Sequence, residues 1–65
     1  MDYIKSIKKL REKAFLSQTE LAQILGVSFT TVNRWENGKF EPTIKMKKEL
    51  IKFFIKYKVI ENTSD

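Results

Sequence analysis

Residues 16–43, LSQTELAQILGVSFTTVNRWENGKFEPT, decide the fold. Ser17 followed three residues later by Glu20 is the pattern of a capping box, in which a serine hydroxyl and a glutamate carboxylate each bond a free amide at a helix start. Gly26 supplies the left-handed residue that commonly ends such a helix. Ser28 is the next candidate N-cap. Two short helices joined by a tight turn are therefore predicted, which is the geometry of a helix-turn-helix unit.

Apolar spacing predicts further helices on both sides of this unit, packed around one small core. A first helix over residues 3–14 follows the N-cap Asp2, and a last helix of about 15 residues follows the N-cap Thr43. We predict an all-α, compact four- to five-helix domain over residues 1–60 and a polar tail at 61–65. From their helical spacing, the residues expected in the core are Ile7, Leu10, Leu21, Ala22, Leu25, Val32, Trp35 and Leu50.

Length and composition bound the chemistry of the chain. Its 65 residues can form one small domain, and they include no cysteine and no histidine. Disulfides are therefore excluded, and zinc or iron–sulfur sites are not expected. The sequence also has no glycine-rich phosphate loop and no carboxylate pair in a pocket-like setting. We expect no enzymatic activity, no metal and no cofactor.

Basic residues concentrate towards the two ends of the chain. The net charge is +5; residues 3–15 carry five Lys/Arg against one acid and residues 44–58 carry six against one, whereas residues 17–43 carry two bases and three acids. This balance favours an anionic partner, although lysines also keep small helical domains in solution. No segment resembles a signal peptide or approaches the roughly 18 apolar residues of a membrane span, so we expect a cytoplasmic protein.

The same residues resemble a known family. The Q-x-E-L-A run from Gln18, the L-G-V-S turn and the R-W-E-N-G-K-x-x-P segment ending at Pro42 agree in register with the XRE-like helix-turn-helix domain of phage repressors and Cro proteins, over about residues 4–52. The resemblance implies a lambda-repressor-like fold and sequence-specific binding of double-stranded DNA at the nucleoid of a prokaryotic cell. It also implies that residues 18–25 form the supporting helix and residues 28–36 the recognition helix, which lies in the major groove.

Four residues of the recognition helix point away from its apolar face, so we expect them to be exposed and to contact DNA bases. Arg34 is the principal reader, through bidentate bonds to guanine N7 and O6. Thr30 and Asn33 can donate or accept at base edges. Phe29 departs from the polar or basic residue common in the family. It either meets thymine methyl groups or folds back onto neighbouring side chains.

Four further residues are implied as phosphate contacts. Gln18 opens the supporting helix, where free amides and the helix dipole favour an anion. Ser28 caps the recognition helix, and capping alone also explains this serine. The turn after the recognition helix is expected to hold phosphate with Asn37, Lys39 and its backbone amides. Glu41 departs from the commonly basic loop, which weakens the contact expected on that side.

Glu36 is best explained by a partner within the chain. A carboxylate beside DNA would repel phosphate, and the family pairs the acid at this position with an arginine that matches Arg11. Arg11 also falls at the margin of the apolar face of the first helix. The resemblance therefore implies a structural ion pair between Arg11 and Glu36, which is costly to break if it is buried.

Two functions fit these features. The first is a transcriptional regulator, a repressor of phage, plasmid or bacterial promoters, that binds a near-palindromic operator as a homodimer through the apolar surface of residues 46–60. The second is an antitoxin-like or adaptor domain that uses the exposed apolar part of the last helix to bind a partner protein. A basic membrane-surface helix at residues 44–58 is a weaker third, because its apolar arc is too wide. We expect no membrane partner and no small-molecule ligand.

Overall fold

Four α-helices make up most of residues 2–60, the part of the chain that the computed structural model describes. They are α1 (Tyr3–Ala14), α2 (Gln18–Leu25), α3 (Phe29–Glu36) and α4 (Ile44–Lys56). The predicted all-α architecture is confirmed. Four to five helices were expected, and residues 2–60 form four. The last helix has 13 residues, slightly fewer than predicted. The predicted tail at 61–65 lies outside the described residues. At these lengths and compositions, none of the helices described can span a bilayer.

Each helix begins at a side chain that accepts a bond from an otherwise free backbone amide. The four caps are each bonded to the amide of the residue three positions further on, at 3.0–3.2 Å, and they are Asp2, Ser17, Ser28 and Thr43. At α2 the bond is reciprocal, because the amide of Ser17 donates to the Glu20 carboxylate at 2.9 Å. The predicted caps and the capping box are confirmed.

Two of the helices end at a residue in the left-handed conformation. Gly26 ends α2 with φ 73°, as predicted, and glycine adopts this conformation without a steric penalty. Phe15 ends α1 with φ 56°, and 91% of its surface is exposed. A non-glycine residue in this region is uncommon, and nothing in the sequence marks the position.

One apolar core lies between the four helices. α2 packs against α3, and α1 packs against both α3 and α4. The buried apolar residues are Ile7, Leu10, Leu21, Ala22, Val32, Trp35, Leu50 and Phe54. The prediction that Leu25 belongs to this buried set is wrong. Leu25 is the last residue of α2, where the chain turns away at Gly26, and it packs partly buried against the edge of the core.

The core takes up most of the wide apolar arc of α4. Leu50 and Phe54 are buried, and the residues that pack partly buried against the core include Met46, Ile51, Phe53 and Tyr57. Ile44 and Ile55 remain exposed, at 74% and 36%. The apolar surface left on α4 is therefore narrower than the sequence predicts for residues 46–60, and it begins earlier, at Ile44.

Candidate nucleic-acid interface

A short turn holds α2 and α3 together as one unit. Only residues 26–28 separate the two helices, and the amide of Val27 closes the turn by donating to the carbonyl of Ala22 at 2.9 Å. Ala22 is 2% exposed, and its small side chain lets a neighbouring helix approach closely. The position of α3 is thus fixed by α2 and by the buried core, as a helix-turn-helix requires.

The outer face of α3 carries three of the four expected base readers. Phe29 is 50% exposed, and Thr30 and Arg34 are also exposed. The guanidinium of Arg34 lies beside the ring of Phe40, with 6.0 Å from Cζ to the ring centroid, which is at the outer limit of a cation–π contact. Next to Phe40, the amide of Lys39 donates to the Arg34 carbonyl at 2.9 Å. The loop after α3 therefore supports the side chain expected to be the principal reader.

An ion pair ties α1 to the end of α3. Arg11 Nε donates to Glu36 Oε2 at 2.6 Å, and Arg11 Nη2 donates to Glu36 Oε1 at 2.8 Å. The Glu36 side chain is 3% exposed and that of Arg11 is 24% exposed. Bidentate pairs of this kind combine strong bonds with a fixed geometry. The implied pair between these two residues is present, and it is buried on the glutamate side.

Glu36 is held in its charged form. Burial raises the pKa of its carboxyl group, but hydrogen bonds from Arg11 and Gln18 and the charge of Arg11 outweigh that effect. The pKa of Glu36 therefore lies below its ordinary value. The hydrogen bond to Glu36 in turn raises the pKa of Arg11. An ionised carboxylate can only accept hydrogen bonds, and this limits what its neighbours can present to it.

Three amide side chains continue from Glu36 along α2 and α3. Gln18 Nε2 donates to Glu36 Oε1 at 3.1 Å, Asn33 Nδ2 donates to Gln18 Oε1 at 3.2 Å, and Asn37 Nδ2 donates to Asn33 Oδ1 at 3.0 Å. Because Glu36 can only accept, Gln18 must turn its nitrogen to Glu36 and its oxygen to Asn33. The same constraint passes from Asn33 to Asn37. We call Arg11, Glu36, Gln18, Asn33 and Asn37 the polar relay.

The polar relay limits what Gln18 and Asn33 can offer to a ligand. Within the described part of the chain, each amide donates one N–H and its oxygen accepts one hydrogen bond, which leaves one N–H and one lone pair of the oxygen. Asn33 is partly buried, whereas the sequence predicts full exposure, because it faces α2 as well as the outer surface. While the relay holds, each side chain can offer a ligand one N–H and one remaining lone pair.

The turn after α3 has its backbone amides in use. The amides of Asn37, Gly38 and Lys39 donate to carbonyls of α3 at 2.9–3.2 Å. The Asn37 side chain also donates to the carbonyl and the side-chain oxygen of Asn33, at 2.9 and 3.0 Å. Of the groups expected to hold phosphate here, the ammonium of the exposed Lys39 is the one left to do so.

Ser28 and Gln18 lie at the N-termini of α3 and α2. Ser28 Oγ accepts the amide of Thr31 at 3.1 Å and lies 3.0 Å from the Thr31 hydroxyl. Capping therefore accounts for this serine. Contact of either residue with a phosphate stays a prediction.

Two contacts of the α2–α3 unit and its following loop are not predicted by the sequence. The bond between Gln18 and Asn33 joins residues on different helices, which helical spacing does not relate. The contact between Arg34 and Phe40 crosses the turn after α3. An aromatic residue directly after the basic Lys39 was the only signal available for it. Among residues 2–60 no group of carboxylates is placed to hold a metal ion.

Comparison with known proteins agrees with this architecture. A helix-turn-helix family model matches residues 7–56. The chain is 37% identical over 54 residues to the HTH-type transcriptional activator BcrR of Enterococcus faecalis, which is 83% of this chain and 26% of that protein. It is 40% identical over 48 residues to an uncharacterised HTH-type transcriptional regulator of Methanocaldococcus jannaschii, which is 74% of this chain and 73% of that protein. No solved structure gives a significant match.

The match to BcrR spans about a quarter of that relative's length. The family model, the two relatives and the geometry of the α2–α3 unit nevertheless agree. The chain belongs to the XRE-type helix-turn-helix family of DNA-binding transcription regulators.

Proposed function

We propose that the chain binds a specific double-stranded operator with α3 in the major groove and represses the promoter beside it. The division of α3 into two faces carries this proposal. Val32, Trp35 and Glu36 are buried, whereas Thr30 and Arg34 are exposed on the opposite side. Reading base edges requires an exposed set of side chains on a helix whose position is fixed by its other face.

The polar relay gives this proposal a chemical preference. Bidentate recognition of adenine needs both the oxygen and the nitrogen of an asparagine amide. The oxygen of Asn33 already accepts from Asn37, so adenine would have to share this oxygen with the relay. We expect Asn33 to make a single donor contact, to guanine N7 or O6 or to thymine O4, while Arg34 supplies the bidentate contact to guanine.

Phosphate contacts are proposed for Gln18, Ser28 and Lys39, with Asn37 acting mainly by holding Asn33 in place. The remaining N–H of Gln18 lies at the start of α2, where the helix dipole favours an anion. Binding should weaken steeply with salt, because each phosphate contact releases counterions. We expect Lys39→Ala to reduce the slope of log affinity against log salt concentration by about 1.

We further propose that two copies bind a near-palindromic operator, with their recognition helices about 34–36 Å apart. Ile44 and Ile55 support this, because they are exposed and lie on one face of α4, three helical turns apart. Sedimentation of the protein with and without operator DNA tests the dimer. A single copy on DNA at all concentrations would contradict it.

Repression is the simplest direction of regulation for such a domain, because a bound protein can block polymerase without further contacts. The relative BcrR is named as an activator, so related domains serve the opposite direction as well. A promoter–reporter assay with the operator moved across the promoter distinguishes the two outcomes.

The decisive experiment is selection from random double-stranded DNA at moderate salt, with wild type, Arg34→Ala and the control Lys52→Ala in parallel. Lys52 is an exposed residue of α4, outside the α2–α3 unit. We expect wild type and Lys52→Ala to enrich one inverted repeat and Arg34→Ala to lose it. Failure of wild type to enrich any motif would reject the operator proposal and favour a protein-binding adaptor that uses Ile44 and Ile55.

A further inference from the structure

One stripe of α1 lies against the end of the recognition helix. It consists of Ile4, Lys8 and Arg11, which are four and three residues apart and therefore share one side of the helix. Arg11 is bonded to Glu36 of α3. A Cβ atom placed on Gly38 would lie 3.2 Å from Ile4 Cδ1, so Ile4 packs on the turn after α3. Lys8 lies between these two contacts, and its side chain leaves α1 beside the end of α3.

The ammonium of Lys8 is close to α3 and remains available to an external anion. Burial raises the pKa of the Glu36 carboxyl group, and the charge of Lys8 is among the effects that lower it. An opposite charge has this effect when it lies nearby. The carboxylate itself is bonded by Arg11 and Gln18. None of the ion pairs formed among residues 2–60 includes Lys8, and Lys8 is exposed.

The turn after α3 has few groups left to hold an anion. Its backbone amides donate to carbonyls of α3, and the Asn37 side chain donates to Asn33. The ammonium of the exposed Lys39 lies at this turn, and Lys8 approaches the turn from α1. Two cationic groups on separate elements therefore flank the end of α3, where a DNA backbone would pass if α3 lies in the major groove.

We propose that Lys8 binds a DNA backbone phosphate beside the end of α3, together with Lys39. This inference rests on the proposed function, and it adds a contact from α1, a helix outside the α2–α3 unit. A phosphate contact carries no sequence information, so Lys8 contributes to affinity and to the placement of α3 but not to base preference. α1 thus bonds α3 through Arg11 and the adjacent DNA backbone through Lys8.

The next residue, Lys9, is a matched control. Both lysines are exposed residues of α1, but a helix turns by about 100° per residue, which takes Lys9 away from the stripe. Lys13, four residues after Lys9, donates to the carbonyl of Lys58 at 2.9 Å, so this side of α1 lies towards the end of α4. Replacing either lysine by alanine removes the same charge. A difference between the two variants therefore reports the position of the charge.

Operator affinity is measured from about 50 to 200 mM salt for wild type, Lys8→Ala, Lys8→Arg and Lys9→Ala. One phosphate contact contributes about 0.9 to the slope of log affinity against log salt concentration. For each bound copy, the affinity lost in Lys8→Ala should therefore be about 3.5-fold larger at the lower salt concentration than at the higher one. Lys8→Arg and Lys9→Ala should keep the wild-type slope.

A second measurement locates the phosphate. Methylphosphonate groups, which remove the charge of one phosphate at a time, are placed in turn along the selected operator. At the phosphate that Lys8 binds, the substitution should weaken binding by wild type and Lys9→Ala more than binding by Lys8→Ala. Selection from random DNA should give the same motif for Lys8→Ala as for wild type, and denaturant unfolding checks that each variant is folded.

The contact is overturned if the salt slope of Lys8→Ala matches that of Lys9→Ala, if Lys8→Ala selects a different motif, or if no single methylphosphonate distinguishes the two variants. It is also overturned if a folded Lys8→Arg behaves like Lys8→Ala. In each of these cases wild type still binds its operator, so the proposed function stands. If wild type binds no operator at any salt concentration, the proposed function is rejected and the contact is rejected with it.

Discussion

The two faces of α3 differ in burial and in the contacts that their side chains make. On the inner face, Val32 and Trp35 are buried in the core, and Glu36 is bonded to Arg11 of α1. On the outer face, Thr30 and Arg34 are exposed. Substitutions on the inner face should therefore lower the free energy of unfolding, and those on the outer face should lower DNA affinity. An eight-residue helix can keep stability and recognition separate in this way.

Asn33 lies between the two faces and belongs partly to each. It is partly buried, it donates to Gln18 of α2, and it accepts from Asn37 at the end of α3. The polar relay thus connects the buried carboxylate of Glu36 to a side chain expected at the DNA.

The largest expected effect is on the inner face. Arg11→Met would leave Glu36 buried without its ionic partner, and such losses cost about 3–5 kcal/mol. Because Arg11 is 24% exposed, we expect the lower end, about 3 kcal/mol, in the free energy of unfolding measured with denaturant.

Lys52→Met is the matched control, since its pair with Glu49 is exposed and should contribute less than about 1 kcal/mol. Adding Glu36→Leu to Arg11→Met should restore much of the lost stability, because the unpaired charge is then gone. A loss in Arg11→Met no larger than in Lys52→Met would show that the inner face does not depend on the pair.

The outer face is tested by Arg34→Ala. Losing a bidentate base contact costs about 1–3 kcal/mol, which is a loss of about five- to 150-fold in affinity for the selected operator. The free energy of unfolding should change by less than about 0.5 kcal/mol, because Arg34 is exposed. Fluorescence anisotropy with labelled DNA and denaturant unfolding measure the two quantities. A large loss of stability in this variant would show that the outer face also contributes to folding, and would contradict the separation of the two faces.

Acid should weaken the inner face selectively. The pKa of Glu36 is depressed in the folded state, so its contribution to stability is present above the ordinary value of 4.5 and is lost as pH falls through the folded-state value. As pH is lowered from neutral, the free energy of unfolding should therefore fall more steeply for wild type than for the double variant Arg11→Met/Glu36→Leu.

The capping box provides an internal check on this comparison. Hydrogen bonds from the Ser17 backbone and hydroxyl also lower the pKa of Glu20, and this group is present in both proteins. Its contribution cancels in the difference. If the free energy of unfolding changed with pH in the same way in wild type and the double variant, the partners of Glu36 would not lower its pKa.

Local rules predicted the helices well, because the signals are short-range. Asp2, Ser17, Ser28 and Thr43 have the cap chemistry, and Gly26 has the conformational freedom that the turn needs. Phe15 shows the limit of such rules, since phenylalanine has no preference for the left-handed conformation that it adopts after α1.

The site was harder to predict, because its decisive contacts join separate elements. Family resemblance supplied the pairing of Arg11 with Glu36. Nothing in the sequence showed that the carboxylate would set the orientation of Gln18 and then of Asn33, since hydrogen-bond direction depends on three side chains meeting in space. The turn amides were also misjudged, because they bond carbonyls of α3.

The smallest expected effect concerns Phe29, for which the sequence leaves two roles open. The ring is 50% exposed, which leaves half of its surface for a thymine methyl group. Burying one methyl group is worth about 0.8 kcal/mol, or about fourfold in affinity. Replacing thymine by deoxyuridine in the selected operator should weaken wild-type binding by that factor at one position. The Phe29→Ala variant should bind both DNAs equally.

If Phe29 instead packs on its neighbours, the outcome differs in both measurements. Phe29→Ala would then lower the free energy of unfolding by about 1 kcal/mol or more, and the effect of deoxyuridine would be the same in variant and wild type. Because both properties are measured on one substitution, this test assigns Phe29 to a face. A ring that contributes only to deoxyuridine discrimination belongs wholly to the outer face, and the separation then extends over the full length of α3.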